Sequence, residues 1–265
     1  MHITELFNLK KKIAIVTGGG TGLGKQMAIA LAEAGADLVI TSRKVENCEK
    51  VASFIRHLGN EAIAIKMDVT KPQQVKQMVR QVIDKFGHID ILVNNAGIVK
   101  PSPIIDTTLG DWNQVFAVNI TGMFLCSREV GKYMIKQRRG KIINIASQYG
   151  VVGIDPRPYM KHPQEPWGHI AYSSSKGAVV NFTRDLAVNW AHYGITVNAI
   201  TPGGFETQQT EQYDKEIKEK LRQRVPLGRR GKEDDLKGAV VFLASAASDY
   251  VVGHNLVVDG GFLAW

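Results

Sequence analysis

An apolar, β-branched run passes directly into a glycine-rich turn at Ile13-Ala14-Ile15-Val16-Thr17-Gly18-Gly19-Gly20-Thr21-Gly22-Leu23-Gly24. An amphipathic helix is predicted immediately after this turn. Glycine permits the tight turn from strand to helix, and its missing Cβ lets a phosphate approach the backbone N–H groups at the helix N-terminus. The stretch therefore predicts the first strand and helix of a dinucleotide-binding fold, and a glycine-rich turn without a ligand is the alternative.

The alternation of apolar runs with amphipathic segments continues along the chain, which indicates βαβ units. Runs without polar alternation indicate strands covered on both faces. Right-handed crossovers then predict a single-domain doubly wound Rossmann fold over residues 1–265, with a mostly parallel seven-stranded sheet. The predicted strands are Ile13–Thr17, Asp37–Ser42, Glu61–Lys66, Ile89–Asn94, Lys141–Ala146, Thr196–Ile200 and Asn255–Val258. The predicted helices are Gly22–Ala34, Val45–Leu58, Pro72–Phe86, Leu109–Gln137, Ala171–His192, Thr207–Arg222 and Glu233–Ala244.

Two of these helices carry start signals. Thr70 with Gln73 predicts a capping box, and Thr108 followed by Asp111 is a similar signature.

Composition narrows the class of protein. The net charge of +8 would suit a polyanionic partner, a phosphorylated cofactor or an acidic substrate. The sequence has no basic stripe with stacking residues, so nucleic-acid binding is not expected. Cys48 and Cys126 lie far apart, so neither a disulfide framework nor a metal site is expected. The absence of a signal peptide or a long apolar run predicts a cytoplasmic protein that does not bind membranes.

The end of the second strand predicts which dinucleotide is bound. A carboxylate there favours the free ribose of NAD, whereas an arginine accommodates the 2′-phosphate of NADP. This strand ends in Ser42, Arg43 and Lys44, whose hydroxyl and cationic groups suit a phosphate dianion. NADP is therefore expected, NAD remains possible, and the alternative is that the two cations cap a surface loop.

Tyr172 and Lys176 stand four residues apart at the start of a predicted helix, so their side chains share one face. A nearby ammonium lowers the pKa of a phenol, which makes such a tyrosine a candidate general acid and base. Taken alone the pair is weak, because this spacing is common on any helix.

Five motifs in a fixed order give the chain a full-length resemblance to the classical short-chain dehydrogenase/reductase family. They are the turn Thr17 to Gly24, Asn94-Asn95-Ala96-Gly97, Ser147, Tyr172-Ser173-Ser174-Ser175-Lys176 and Pro202-Gly203. The resemblance implies an oxidoreductase that transfers a hydride between a nicotinamide cofactor and a small alcohol or carbonyl substrate.

The resemblance also implies a catalytic role for four residues. Tyr172 would exchange a proton with the substrate oxygen, Ser147 would hydrogen-bond that oxygen, and Lys176 would lower the tyrosine pKa and bind the nicotinamide ribose. Asn119 would hold a water molecule for proton relay. The residues themselves also single out Asn119, because it interrupts an apolar helical stripe, although a satisfied structural role is the alternative.

Further cofactor contacts are implied by the same motifs. For Asn95, a purely structural role is the alternative. The implied set comprises Gly18, Thr21, Gly22, Leu23, Gly24, Ser42, Arg43, Lys44, Asp68, Val69, Asn95, Ala96, Gly97, Tyr172, Lys176, Pro202, Gly203 and Thr207.

A departure from the family pattern bears on the substrate. Ser147 and Tyr172 stand unusually far apart, separated by a proline-rich stretch over residues 155–169. The stretch predicts either a stiff wall of the site, with Arg157 or Lys161 facing an acidic substrate, or a tolerated surface insertion. Together with Leu6-Phe7-Asn8-Leu9 it most resembles the enzymes called gluconate 5-dehydrogenases.

Three functions follow from this resemblance. Sugar acids or polyols are the first expected substrates and 3-oxoacyl thioesters the second, while a catalytically silent cofactor sensor is a further alternative. A homotetramer or homodimer is expected, because family members pair the helices that correspond to Leu109–Gln137 and Ala171–His192.

Overall fold

The computed structural model describes residues 1–160, 167–207 and 213–265. Within them lie the strands β1 (Ile13–Thr17), β2 (Asp37–Ser42), β3 (Ala62–Lys66), β4 (Ile91–Asn94), β5 (Gly140–Ile145), β6 (Ile195–Pro202) and β7 (Asn255–Val258). The helices are α1 (Ile3–Leu6), α2 (Gly22–Glu33), α3 (Val45–His57), α4 (Pro72–Phe86), α5 (Leu109–Phe116), α6 (Gly122–Gln137), α7 (Ile170–Trp190), α8 (Lys215–Gln223) and α9 (Lys237–Ala244).

The strands form one parallel sheet in the order β3-β2-β1-β4-β5-β6-β7, which confirms the predicted doubly wound Rossmann fold. The chain leaves β1 toward one edge and then returns to place β4 on its other side. Such a reversal opens a crevice at the carboxyl ends of the two strands, because their connections run in opposite directions.

Helices cover both faces of the sheet because its strands carry apolar side chains on both faces. On one face Val16 and Ile40 pack with residues of α2, α3 and α9. On the other, Ile15 and Val39 pack with residues of α4 and α6. β1 and β4 are therefore buried along their whole length and β2 in its central four residues, which matches their apolar runs.

One predicted helix start is right and the other is wrong. The Thr108 hydroxyl accepts a hydrogen bond from the Asp111 N–H at 3.0 Å and caps α5. Thr70 instead donates its hydroxyl to Asp68, 2.8 Å away, and α4 begins at Pro72 with Lys71 as its N-cap. Proline at the first helical position needs no partner for an N–H, so α4 begins without the predicted capping box.

Three predicted helices differ from the observed ones by more than two residues. The segment predicted as Leu109–Gln137 contains a π-helical turn, Ala117–Thr121, between α5 and α6. The segment predicted from Thr207 has its helix only from Lys215, and residues 208–212 lie outside the described part. The first turn of the segment predicted from Glu233 is a 3₁₀ helix, Glu233–Leu236. None of the described helices is both long and apolar enough to cross a bilayer.

Candidate active site

The glycine turn and the loop after β4 meet at the crevice. The Asn95 side-chain amide donates to the carbonyls of Thr17 and Gly18, at 2.9 and 3.2 Å. The Thr17 hydroxyl in turn accepts the backbone N–H groups of Asn95 and Ala96. We call this set of bonds the β1–β4 junction. Asn95 thus has a structural role in the junction, which was the alternative for this residue.

Close approach at the junction requires two of the glycines. A Cβ on Gly18 would lie 3.0 Å from Ala96 Cα, and one on Gly24 would strike the Gly18 carbonyl and the Asn95 amide. Gly18 also has a φ of 65°, in the left-handed region that favours glycine. A side chain at either position would separate the ends of β1 and β4.

The start of α2 is suited to a phosphate. Thr21 precedes the helix in extended conformation, and the first turn carries no acidic side chain. The helix therefore presents backbone N–H groups and the positive end of its dipole to an anion. Gly22 faces open space except for Thr207, whose methyl group would lie 4.0 Å from an added Cβ. The side chain of Leu23 packs on the core, so only its backbone is available to a ligand.

A cleft of about 140 Å³ runs from the glycine turn to the end of β2 and brings together many of the predicted cofactor residues. Lys44 does not line it. Its lining residues are Gly18, Thr41, Ser42, Arg43, Met67, Asp68, Val69, Ala96, Gly97, Ile98 and Val118. The cleft is suited to one part of a dinucleotide, because glycines at its wall allow close approach of a ligand and Arg43 contributes a cation.

Asp68 is held ionised at the wall of this cleft. Burial raises the pKa of its carboxyl, but hydrogen bonds from Thr70 and the charge of Arg43 outweigh that effect. The pKa of Asp68 therefore lies below its ordinary value.

At the end of β6 the chain turns back over the crevice through Pro202 and Gly203. The Gly203 N–H donates to the Val258 carbonyl at 2.9 Å, and a Cβ on Gly203 would lie 2.7 Å from Asp259 Cα. This turn directs the following chain toward the glycine turn, where Thr207 meets Gly22.

Asn119 is fully buried and lies on the π-helical turn. Its amide donates to the Ile98 carbonyl at 3.0 Å and to the Ser175 hydroxyl at 2.9 Å, and its oxygen accepts the Ile98 N–H at 2.8 Å. It thereby joins the loop after β4 to the start of α7. A π turn widens the helix and is often found at functional sites. The sequence around Asn119 carries no sign of the π turn. The water-holding role of Asn119 stays a prediction.

Ser147, Tyr172 and Lys176 meet at the carboxyl end of β5. The Lys176 ammonium donates to the Ile145 carbonyl at 2.7 Å and lies 5.8 Å from the centre of the Tyr172 ring. A Cβ on Gly97 would lie 3.6 Å from the Lys176 Nζ and 3.4 Å from the Asn119 Oδ1. The four residues predicted as catalytic therefore share one site, which borders the cofactor cleft at Gly97.

Among the groups that shift the pKa of Tyr172, the Lys176 ammonium is not found, although it was expected to lower that pKa. Burial raises the pKa of Tyr172, a hydrogen bond from Ser147 opposes the rise, and Tyr149 adds to it. The Lys176 ammonium is turned to the Ile145 carbonyl instead. At neutral pH the phenol is consequently protonated and ready to donate a proton.

The described part of the 155–169 stretch forms an aromatic wall beside this site. Tyr159 stacks on Trp167 with ring centres 4.3 Å apart, and Trp167 stacks on His169 at 4.4 Å. The Tyr159 hydroxyl lies 3.2 Å from that of Tyr149, two residues after Ser147. These contacts favour the wall over a slack surface insertion.

Arg157 does not face the site. Its side chain is 85% exposed and forms a bidentate ion pair with Asp155. Asp155 also pairs with Arg224 at 2.6 Å, so the stretch is tied to the end of α8. The expectation that Arg157 binds an acidic substrate is therefore wrong, because its guanidinium is already occupied at the surface. Lys161 lies outside the described residues.

The sequence interpretation missed the aromatic lining. It weighed the charges of the 155–169 stretch and overlooked Tyr159 and Trp167, whose aromatic type was the available signal. Tyr149 and Tyr213 were missed as well, and Tyr213 lies 6.0 Å from Tyr159. No cluster of three or more His, Cys, Asp or Glu in the described chain is arranged to hold a metal ion.

Comparison with known proteins places the chain among dehydrogenases and reductases. A family model described as enoyl-(acyl carrier protein) reductase matches residues 18–263. The chain is 41% identical to the 2-dehydro-3-deoxy-D-gluconate 5-dehydrogenase of Dickeya dadantii, over 99% of both chains. It is 37% identical to a 3-oxoacyl-(acyl-carrier-protein) reductase of Synechocystis, over 96% of this chain and 98% of that one.

A similar solved structure is that of a gluconate 5-dehydrogenase from Burkholderia cenocepacia in complex with NADP and tartrate. It matches with a TM-score of 0.91 and 38% identity, over 100% of both chains.

The buried Lys176 predicts a pH-dependent cost to stability. Burial lowers the pKa of its ammonium from 10.5 to about 8. Below pH 8 the folded protein therefore bears the full cost of the buried charge, and the cost fades as the pH rises toward 10.5. We expect Lys176→Met to gain stability relative to the wild type at low pH and to lose about 3 kcal/mol of that advantage by about pH 10.5.

Urea denaturation across this pH range measures the difference. Loss of the hydrogen bond to Ile145 lowers the stability of the variant by the same amount at every pH. It therefore does not produce the expected change with pH in the difference between the variant and the wild type. The matched variant of an exposed lysine, Lys50→Met, should run parallel to the wild type. A Lys176→Met curve that also runs parallel would show that Lys176 keeps an ordinary pKa.

Proposed function

The chain belongs to the short-chain dehydrogenase/reductase family, and on this basis we propose that it transfers a hydride between NADP and the secondary alcohol or ketone carbon of a sugar acid. The observation that carries the proposal is the meeting of Ser147, Tyr172 and Lys176 beside a cleft that ends at Arg43. The named activities of the Dickeya and Burkholderia relatives support the choice of a sugar acid.

We propose the following roles for the site residues. The bound nicotinamide would supply or accept the hydride. Tyr172 donates its phenolic proton to the carbonyl oxygen during reduction and takes it back during oxidation. Ser147 hydrogen-bonds the same oxygen and so stabilises the charge that develops on it. Lys176 holds its place through the Ile145 carbonyl and presents its remaining N–H groups to the cofactor ribose.

Asn119 acts here as a positioning residue. Its three hydrogen bonds fix the loop after β4 against the first two turns of α7, through Ser175. Gly97 and Tyr172 lie in these two segments, so Asn119 sets the distance between the cofactor cleft and the proton donor. A water molecule bound at Asn119 would complete a proton path to solvent.

The cofactor contacts follow from the cleft. The start of α2 and Thr207 would bind the diphosphate, Asp68 and Val69 the adenine, and Ser42 with Arg43 the 2′-phosphate. Lys44 is exposed at the start of α3, where it adds positive charge near that phosphate. The NADP complex of the Burkholderia relative supports this assignment over NAD.

A 3-oxoacyl thioester reductase is the second candidate, supported by the Synechocystis relative. The stacked Tyr159, Trp167 and His169 beside the site favour a small polar substrate over an acyl chain tethered to a carrier protein. A silent cofactor sensor would have no need for the complete catalytic set. Turnover of NADPH with 5-keto-D-gluconate but not with acetoacetyl thioesters would support the first candidate.

We propose that the protein works in the cytoplasm as a homotetramer or homodimer. Cys48 and Cys126 are buried free thiols, which suit a reducing compartment. Cell fractionation would test the location. Exposed apolar side chains on the helices expected to pair support self-association: Leu109 on α5, Phe124 on α6 and Val188 on α7.

Tyr172→Phe tests the proton-donor role. We expect kcat with NADPH and 5-keto-D-gluconate to fall by roughly 10²- to 10⁴-fold, because the ring still packs but carries no proton. The affinity for NADP, measured by fluorescence titration, should change little. Tyr250→Phe, at a fully exposed tyrosine, is the matched control and should keep wild-type turnover. Near-native turnover of the Tyr172 variant would remove this residue from the mechanism.

Arg43→Ala tests the cofactor preference. Only NADPH carries the 2′-phosphate, and a charge-assisted contact to it predicts a rise in KM for NADPH of about 10- to 100-fold. The KM for NADH should change much less. Arg80→Ala, at an exposed arginine on α4, should leave both constants unchanged. Equal losses with the two cofactors would contradict the role given to Arg43.

Light scattering tests the assembly. We expect a mass of two or four times that of one chain, and Val188→Asp should reduce it because a charge at a buried apolar interface is costly. Val188 is 78% exposed in the single chain, so the substitution should not affect folding. Ile3→Asp, on α1, is the control. A wild-type mass of one chain would contradict the proposal.

A further inference from the structure

Arg230 carries a guanidinium group that the fold leaves incompletely paired. Its Nη2 donates to the Phe205 carbonyl at 2.7 Å. Its Nε and Nη1 are buried from solvent, and neither has a hydrogen-bond partner among the described residues. Buried donors of a cation are costly to leave unpaired, so they point to a ligand. The adjacent Arg229, by contrast, makes two hydrogen bonds to Asp235 at the surface.

The guanidinium lies over the chain that leaves β6. A Cβ on Gly204 would be 3.7 Å from its Nη2, and Phe205 pairs with Gly231 in a short parallel bridge. Gly204 follows the Pro202-Gly203 turn at the carboxyl edge of the sheet, on which the catalytic residues also lie. Arg230 therefore stands on the same side of the sheet as the reacting centre.

A row of phenols separates Arg230 from the proton donor. The charge of Arg230 opposes the rise that burial causes in the pKa values of Tyr159 and Tyr213, so it lies within electrostatic range of both hydroxyls. The Tyr159 hydroxyl contacts that of Tyr149 at 3.2 Å, and Tyr149 in turn influences the pKa of Tyr172. Phenolic hydroxyls thus link the surroundings of Arg230 to those of Tyr172.

The nearby acid Asp155 does not supply the missing partner. Both of its oxygens are bound by Arg157, and Arg224 binds it as well. The Arg230 Nη2 gives one of its two N–H groups to Phe205, so its second N–H and one of the unpaired donors form the parallel pair that matches a carboxylate. Phenolic hydroxyls between the two ends suit the hydroxylated carbons of a sugar chain.

We propose that Arg230 binds the carboxylate of the substrate and so selects acidic over neutral sugars. This inference rests on the proposed function, because it names the residue that recognises the acid group of a sugar acid. Arg230 is a binding and specificity residue that takes no part in proton or hydride transfer. The other ligand within its reach is the cofactor, and the test separates the two.

The kinetic test compares two ketoses that differ at one group. L-sorbose carries a hydroxymethyl group where 5-keto-D-gluconate carries the carboxylate. In Arg230→Met we expect the ratio of kcat/KM for the acid to kcat/KM for the neutral sugar to fall about 10- to 100-fold. The loss should appear mainly in KM for the acid. Arg230→Lys keeps the charge but not the paired N–H donors, so its selectivity ratio should fall less. Arg229→Met should keep the wild-type ratio.

The binding test needs no turnover. Titration of the enzyme–NADP complex with tartrate, followed by calorimetry, should give a Kd that rises about 10- to 100-fold in Arg230→Met and stays constant in Arg229→Met. The neutral tetrol threitol, which lacks the carboxylates, should not discriminate the variants. The affinity of each variant for NADP shows that the protein is folded.

Three results would overturn the inference. They are an unchanged selectivity ratio and tartrate Kd in Arg230→Met, a wild-type complex that does not bind tartrate, and an equal loss of affinity for NADP and the acid, which would make Arg230 a cofactor contact. Failure of the proposed function is distinct. In that case the wild type turns over no sugar acid with NADPH, whereas tartrate binding still depends on Arg230.

Discussion

Two hydrogen-bonded loops join the ends of β1 and β4, and the rest of the site depends on this junction. The Asn95 amide and the Thr17 hydroxyl satisfy backbone groups of both loops at a point where the strand order reverses. Without the junction the glycine turn would have no fixed relation to Gly97. Because Gly97 borders both the cleft and the Lys176 ammonium, the junction sets how these two parts of the candidate site lie relative to each other.

The groups proposed to transfer the proton are held in place by a second close approach. A Cβ on Gly150 would lie 2.5 Å from the Lys176 carbonyl group, so the turn after Ser147 is pressed against α7. Lys176 is only 5% exposed, and the Ile145 carbonyl is its partner within the described residues. The protein thus buries a cation in its central layer, which lowers the free energy of unfolding. Sites under functional constraint commonly retain such costs.

Chemistry and specificity occupy different parts of the fold. The groups proposed to react lie at the strand ends and on α7, which pack against the central sheet. The groups that would contact the remote end of a substrate lie on later loops: the aromatic wall, the chain after β6 and the loop that carries Arg230. Loops tolerate change while the scaffold does not, so relatives with different substrates can share this chemistry.

The fold and its parallel sheet could be predicted from local signals, which are the β-branched runs and the glycines that a tight turn requires. The four residues at the centre of the site were singled out by a resemblance over the whole chain, because a Tyr and a Lys four residues apart are weak evidence when taken alone. The sequence did not determine the π turn at Asn119 or the start of α8, because tertiary contacts and not local propensity set their boundaries. It also assigned the substrate contact to Arg157, whose guanidinium Asp155 holds at the surface. Folding alone brings Arg230 within electrostatic range of Tyr159, whose hydroxyl contacts that of Tyr149, because Arg230 lies far along the chain from both tyrosines. Whether a cation is exposed or left with unpaired buried donors depends on what packs around it, and one position in a sequence carries no record of that packing.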